Sequence, residues 1–246
     1  MIVVVPVDPP EPEFLPRSLV DESPLGEAEA LDLYVASVQD VVKSVSASGG
    51  ELLINYRDGD TLPESSVGAT VEADWRELIA PAIDDAEAIR FESQVGSTPS
   101  ARVGNTVSHL LEQEEAASVG VLEPTASLVQ RTQIDGAAMS ARRHEVVLGP
   151  DGTGSVYFAA FTEPIDFETA YRRPALSRLA SRAEDRGHSI GFTPTVPTID
   201  HPTGLAGTIA AVEAYRSARR SLPEATAAVI DELGLTIDDT GSVARR

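Results

Sequence analysis

At 246 residues the chain is long enough to bury a sizeable α/β core, and its formal charge of −20 comes from 39 acidic against 19 basic residues, Lys43 being the sole lysine. A surface this acidic repels nucleic acid and anionic membranes, whose phosphates are bound through Lys and Arg, so nucleic acid is not expected as a partner. The absence of cysteine excludes disulfides, thiolate metal sites and a cysteine nucleophile.

The opening "MIVVVPV" is a β-branched run that suits a strand buried on both faces, too short and too poor in bases for a secretion signal. Prolines in "DPPEPEFLP" predict an exposed loop. From Glu27, helical spacing of Ala30, Leu33, Tyr34, Val38, Val41, Val42 and Val45 predicts a helix that the glycines at 49 and 50 stop. "ELLINY" predicts the second strand, giving a β-α-β unit and the seed of a parallel sheet. Onward, "WRELIAPAI" reads as helix, "AIRFESQVG" as strand, "ARVGNTVSHLLEQEEAA" as helix, "SVGVLEP" as strand and "TASLVQRTQIDGAAMSA" as helix. Two strands flank the turn in "VVLGPDGTGSVYFAAF"; then come a helix near "PALSRLASRAEDRG", a strand "SIGFTP" and helices from about Pro202 and Pro223. The expected architecture is a three-layer α/β sandwich with a mainly parallel sheet, one domain over residues 1–235, followed by a loose tail over 236–246. With no apolar run of membrane-spanning length, the expected location is the cytoplasm.

In such sheets ligands collect beyond the carboxyl ends of the strands, which directs attention to the loops beginning near Val7, Gly96, Leu122, Gly149 and Pro197. The first holds Arg17 as the only cation among Asp8, Glu11 and Glu13, able to pair a phosphate or to balance its acidic neighbours. Glu123 leaves the sheet before Pro124, either as a ligand for a divalent ion or as a solvated acid near a helix N-terminus. Asp200 precedes His201 and Pro202, as a second carboxylate for that ion or as the cap of the following helix. His109, His144, His188 and His201 show no recognised metal-ligand spacing. Gly149, Gly152 and Gly154 around Asp151 permit either close approach to a ligand or a plain hairpin.

Taken in order, "QVGSTPSARVGNTV", "GVLEPT", "GPDGTGSVYF" and "TIDHPTGL" resemble the nucleotide-diphospho-sugar transferase superfamily, in particular its uncharacterised radical-SAM or selenodomain-associated transferases with the type-A glycosyltransferase fold. The resemblance spans roughly residues 1 to 215 in order. It implies nucleotide contacts by Arg17, Gln94 and Arg102, a metal at Glu123 and Asp200, a catalytic Asp151, and substrate contacts by Gly149, Gly154 and Tyr157. The implied cofactor is Mg2+ or Mn2+, and the implied ligands are a nucleotide or nucleotide-sugar and a small-molecule acceptor. Where the family has Lys-Thr-Arg-Leu after its first strand, this chain keeps only Arg17 and lacks the lysine. A glycosyl or nucleotidyl transferase is expected, nucleotidyl transfer to a phosphorylated small acid being a close relative of that reaction; the alternative is a non-catalytic scaffold that keeps the fold. Acid excess with lysine depletion also resembles proteins of salt-accumulating archaea, and predicts a halophilic chain whose self-repulsion salt screens.

Overall fold

The computed structural model describes residues 1–58, 61–62, 70–83 and 89–246. Among the described residues one sheet contains seven strands: β1 (Ile2–Val7), β2 (Glu51–Tyr56), β3 (Arg90–Ser93), β4 (Val119–Leu122), β5 (Val146–Pro150), β6 (Val156–Phe161) and β7 (Ile190–Phe192). Their order is β3-β2-β1-β4-β6-β5-β7, and β6 alone runs antiparallel to its neighbours, β4 and β5. The carboxyl ends of β1 to β5 therefore share one edge, and the β5–β6 turn lies on it.

Strand alternation divides the core into two layers. Val3, Val5 and Val7 pack with α2 (Glu27–Ser46), α3 (Val71–Ile79), α5 (Arg131–Ser140), α7 (Pro202–Ser217) and α8 (Glu224–Glu232). Val4, Leu53, Val121 and Leu148 point the other way, toward α4 (Pro99–Glu112) and α6 (Ala175–Asp185). Apolar residues at both phases explain why these strands read as continuous β-branched runs. In α2 all seven positions picked by helical spacing are buried. Gly104 in α4 is a contact position: a Cβ there would lie 2.7 Å from Cβ of Phe167.

Three segments differ from the sequence reading. The helix expected over 125–141 begins only at Arg131, because Thr125 to Val129 are buried on every side in a turn-rich loop and Gln130 with Gln133 forms the capping box that starts α5. The proline loop after β1 is not wholly exposed: Pro9 and Leu15 are buried, and the short helix α1 (Arg17–Asp21) follows. Within 236–246, read as a loose tail, β8 (Leu235–Ile237) pairs antiparallel with β9 (Val243–Arg245), and the guanidinium of Arg245 bonds Glu29 at the start of α2. Among the described residues no helix is long and apolar enough to cross a membrane.

Candidate functional site

The carboxyl edge of the sheet is assembled by backbone hydrogen bonds from distant parts of the chain. Glu123 follows β4 directly, its N–H donating to the Tyr157 carbonyl at 2.8 Å. The next carbonyl, of Pro124, accepts from the buried Ser37 hydroxyl of α2 at 2.8 Å. Residues 193 to 200 then run across the edge: the N–H of Thr193 donates to Leu148 O at 3.0 Å, that of Val196 to Pro150 O at 3.1 Å, and that of Ile199 to Thr125 O at 3.0 Å. This rail delivers Asp200 beside Glu123, and Ser18 of α1 closes it by donating to the Asp200 carbonyl at 2.7 Å. A cavity of about 220 Å³ lies beneath, lined among others by Asp8, Tyr34, Gln94, Arg102, Glu123 and Asp200.

Carboxylates dominate its electrostatics. Burial, then the charges of Asp200, Asp8 and Asp151, push Glu123 up to about 8. Asp8 is fixed on two sides: Arg57 Nη1 donates to its carboxylate at 2.9 Å, and the buried Trp75 Nε1–H donates to its carbonyl at 2.9 Å. The indole also meets the Tyr34 ring edge-on, with centroids 5.9 Å apart. Burial and the nearby Arg57 charge hold the Arg102 guanidinium below its ordinary value.

The expected site residues fall into four groups. Glu123, Asp200, Arg102 and Gln94 line the cavity, although the Gln94 amide is occupied as a staple, donating to Asn55 O at 2.7 Å and Val7 O at 3.4 Å. Asp151 lies close enough to act on Glu123, but its carboxylate closes its own turn, accepting from Thr153 N at 2.7 Å and Ser155 N at 2.9 Å. Gly152 and Gly154, at φ of 91° and 92°, allow that turn. Tyr157 is 2 % exposed and its hydroxyl pairs with Thr193 at 2.8 Å; a Cβ on Gly149 would stand 2.6 Å from its ring, so the two form a packed pair away from the cavity lining. Arg17 is exposed and outside that lining. Asp200 does not cap α7; that role belongs to His201, whose Nδ1 accepts from Gly204 N–H at 3.0 Å.

Sequence reasoning missed Arg57, Tyr171 and Arg173. Arg57 immediately follows β2, so the rule that drew attention to Val7 and Leu122 applies to it equally. Tyr171 lines both the cavity and a larger groove of about 870 Å³ between α4 and residues 165–172. Its hydroxyl is buried without a partner among the described residues, and burial together with the Glu123 charge raises its pKa above the ordinary phenol value. Arg173 Nη2 stands 3.6 Å from Asp200 Oδ2 at the rim.

Among the described residues no group of three or more His, Asp and Glu side chains is arranged as a metal cage. The residues nevertheless fit Mg2+, which keeps several waters and takes one or two carboxylates together with substrate phosphates. Glu123 and Asp200 offer two such carboxylates, and the repulsion from Asp200, Asp8 and Asp151 that adds to burial in raising Glu123 is what a divalent ion would relieve.

Strand order and the single antiparallel strand define the nucleotide-diphospho-sugar transferase, or type-A glycosyltransferase, fold. A crystal structure from Desulfovibrio desulfuricans G20, whose name gives it provisionally as a nucleotide-diphospho-sugar transferase, superposes with a TM-score of 0.73 at 17 % identity, covering 94 % of this chain and 95 % of its own. A cytidylyltransferase from Leptospira borgpetersenii serovar Hardjo-bovis superposes with a TM-score of 0.50 at 10 % identity, over 94 % of this chain and 93 % of its own. No family model matches the sequence, and no curated protein matches it.

Proposed function

We propose that the chain is a metal-dependent nucleotidyl or glycosyl transferase that binds a nucleoside triphosphate or nucleotide-sugar in the cavity at the carboxyl edge. The observation that carries this reading is the meeting of Glu123 and Asp200 in one cavity with Arg102. Bound Mg2+ or Mn2+ would supply charge neutralisation at the pyrophosphate. Glu123 and Asp200 hold that ion, and Arg102 supplies donors to phosphate oxygens from a partly desolvated position, where such bonds are strong. Tyr34 and Trp75 keep the floor dry and fix Asp8. The groove beyond Tyr171 receives the acceptor, a small molecule, and the phenol stands between acceptor and donor. Transfer then depends on positioning and charge stabilisation.

A thermal-shift screen of CTP, UTP, GTP, ATP and their sugar derivatives, with Mg2+ or Mn2+ in molar potassium chloride, tests the reading. Ligand at a hundred times its Kd stabilises by about 2.7 kcal/mol, so one nucleotide is expected to raise the melting temperature only when the metal is present. Silence across the set favours the second reading, a non-catalytic module, for which the placement of Arg17 outside the cavity lining speaks.

The charge of −20 carries a further proposal, that the fold depends on salt. Screening shortens from about 10 Å at 0.1 M to about 3 Å at 1 M, so the melting temperature is expected to rise steeply with potassium chloride. A flat dependence would remove the halophilic reading.

A further inference from the structure

Among the described residues, His201 carries a donor with nothing to donate to. Its Nδ1 accepts the Gly204 N–H at the start of α7, and a neutral imidazole that accepts at one nitrogen bears its proton on the other. That proton-bearing Nε2 is buried and has no hydrogen-bond partner among the described residues. It stands 3.9 Å from Asp151 Oδ2 and 3.9 Å from Asp200 Oδ1. The residue is 7 % exposed, and the ring is wedged in place: a Cβ on Gly204 would lie 2.9 Å from His201 Cε1 and 1.9 Å from the Thr198 carbonyl. Only glycine lets the turn close this tightly on the imidazole.

The two carboxylates differ in their freedom to meet the donor. Asp151 is held in its own turn by three bonds, the Thr153 and Ser155 N–H groups at Oδ1 and the Thr153 hydroxyl at Oδ2, and its side chain is only 2 % exposed, so it is not free to turn. Asp200 accepts one side-chain hydrogen bond, from the Thr198 hydroxyl, and its side chain is 29 % exposed toward the cavity. We propose that His201 is a positioning residue for the divalent ion: on ion binding, Asp200 turns one oxygen to the metal while the other accepts the Nε2–H. The inference rests on the metal reading proposed above. Hydrogen bonds to ligating carboxylates fix their orientation, and losing one typically costs roughly 10- to 100-fold in metal affinity.

The test is His201→Ser in the full chain, because serine is among the best N-caps and preserves the start of α7 while deleting Nε2. Titration with Mn2+ alone, followed by electron paramagnetic resonance, is expected to show affinity lowered roughly 10- to 100-fold with the metal-free melting temperature near that of the parent. Should the serine variant fail to fold, nitrogen-15 spectra of the parent give a second readout. Saturating Mg2+ is expected to move the His201 Nε2 proton downfield and to leave His109, His144 and His188 unmoved. Parental Mn2+ affinity in His201→Ser, or an unmoved Nε2 proton, overturns the positioning role while leaving the metal reading standing. A parent chain that takes up no Mn2+ overturns both.

Discussion

Glu123→Ala and Asp200→Ala are each expected to abolish Mg2+- or Mn2+-dependent nucleotide binding without unfolding the chain. Neither side chain is a core contact: Glu123 is partly buried at the cavity wall, and Asp200 leaves the capping of α7 to His201. The pair is instead a concentration of like charge, in which Asp200, Asp8 and Asp151 all act on Glu123. A carboxyl raised from 4.5 to about 8 holds its proton in the folded state where the unfolded chain has lost it. Its contribution is therefore full below about 4.5 and is lost as pH rises through about 8. Glu123→Gln, which keeps shape and removes the charge, is accordingly expected to melt above the metal-free parent at pH 9, and to lose metal-dependent binding as the alanine variant does. Calorimetric titration with nucleotide and Mn2+ decides the binding outcome; retention of parental affinity in either alanine variant would falsify the two-carboxylate site.

Trp75→Ala is expected to cost about 3–5 kcal/mol in chemical denaturation followed by circular dichroism, the range for emptying a buried aromatic position. The indole is fully buried against Tyr34 and carries one directional bond, Nε1–H to the Asp8 carbonyl. Trp75→Phe separates the two contributions: most of the apolar contact survives and the hydrogen bond does not. Its loss should add about 1 kcal/mol to whatever the smaller ring costs in packing. A loss below 1 kcal/mol in the alanine variant would show that α3 closes over the gap and that Asp8 is held without the indole.

Where one period dominates, the sequence reads directly into structure. The valine-rich β1 and the apolar stripe of α2 are bounded by turn signals and buried as their spacing implies. Legibility fails where an apolar segment is buried without being regular: Thr125 to Val129 carry the hydrophobicity of a helix, but their neighbours on every side leave no polar face to distinguish one. It fails again where small local bonds decide, as in the closing hairpin, whose turn is held by the Asp238 carboxylate accepting from Thr240 and Ser242 N–H groups. At the site, strand-end logic picks out Glu123 and the Asp200 region. It cannot tell which of two adjacent residues caps α7, because both have a side-chain acceptor and only the backbone angles of His201 aim one at Gly204. Arg57, directly after β2, is within reach of the same strand-end rule, whereas Tyr171 carries no motif and becomes visible only once loops distant in sequence share an edge.

The chain contains a single tryptophan, and that residue is the one whose indole grips the backbone of Asp8 at the cavity wall. Its ultraviolet emission therefore comes from one indole, shielded from solvent and hydrogen-bonded to the backbone of a residue that lines the cavity, with no second indole elsewhere to dilute the signal. The protein carries its own optical gauge of that wall, readable in any buffer and at any salt concentration without a label.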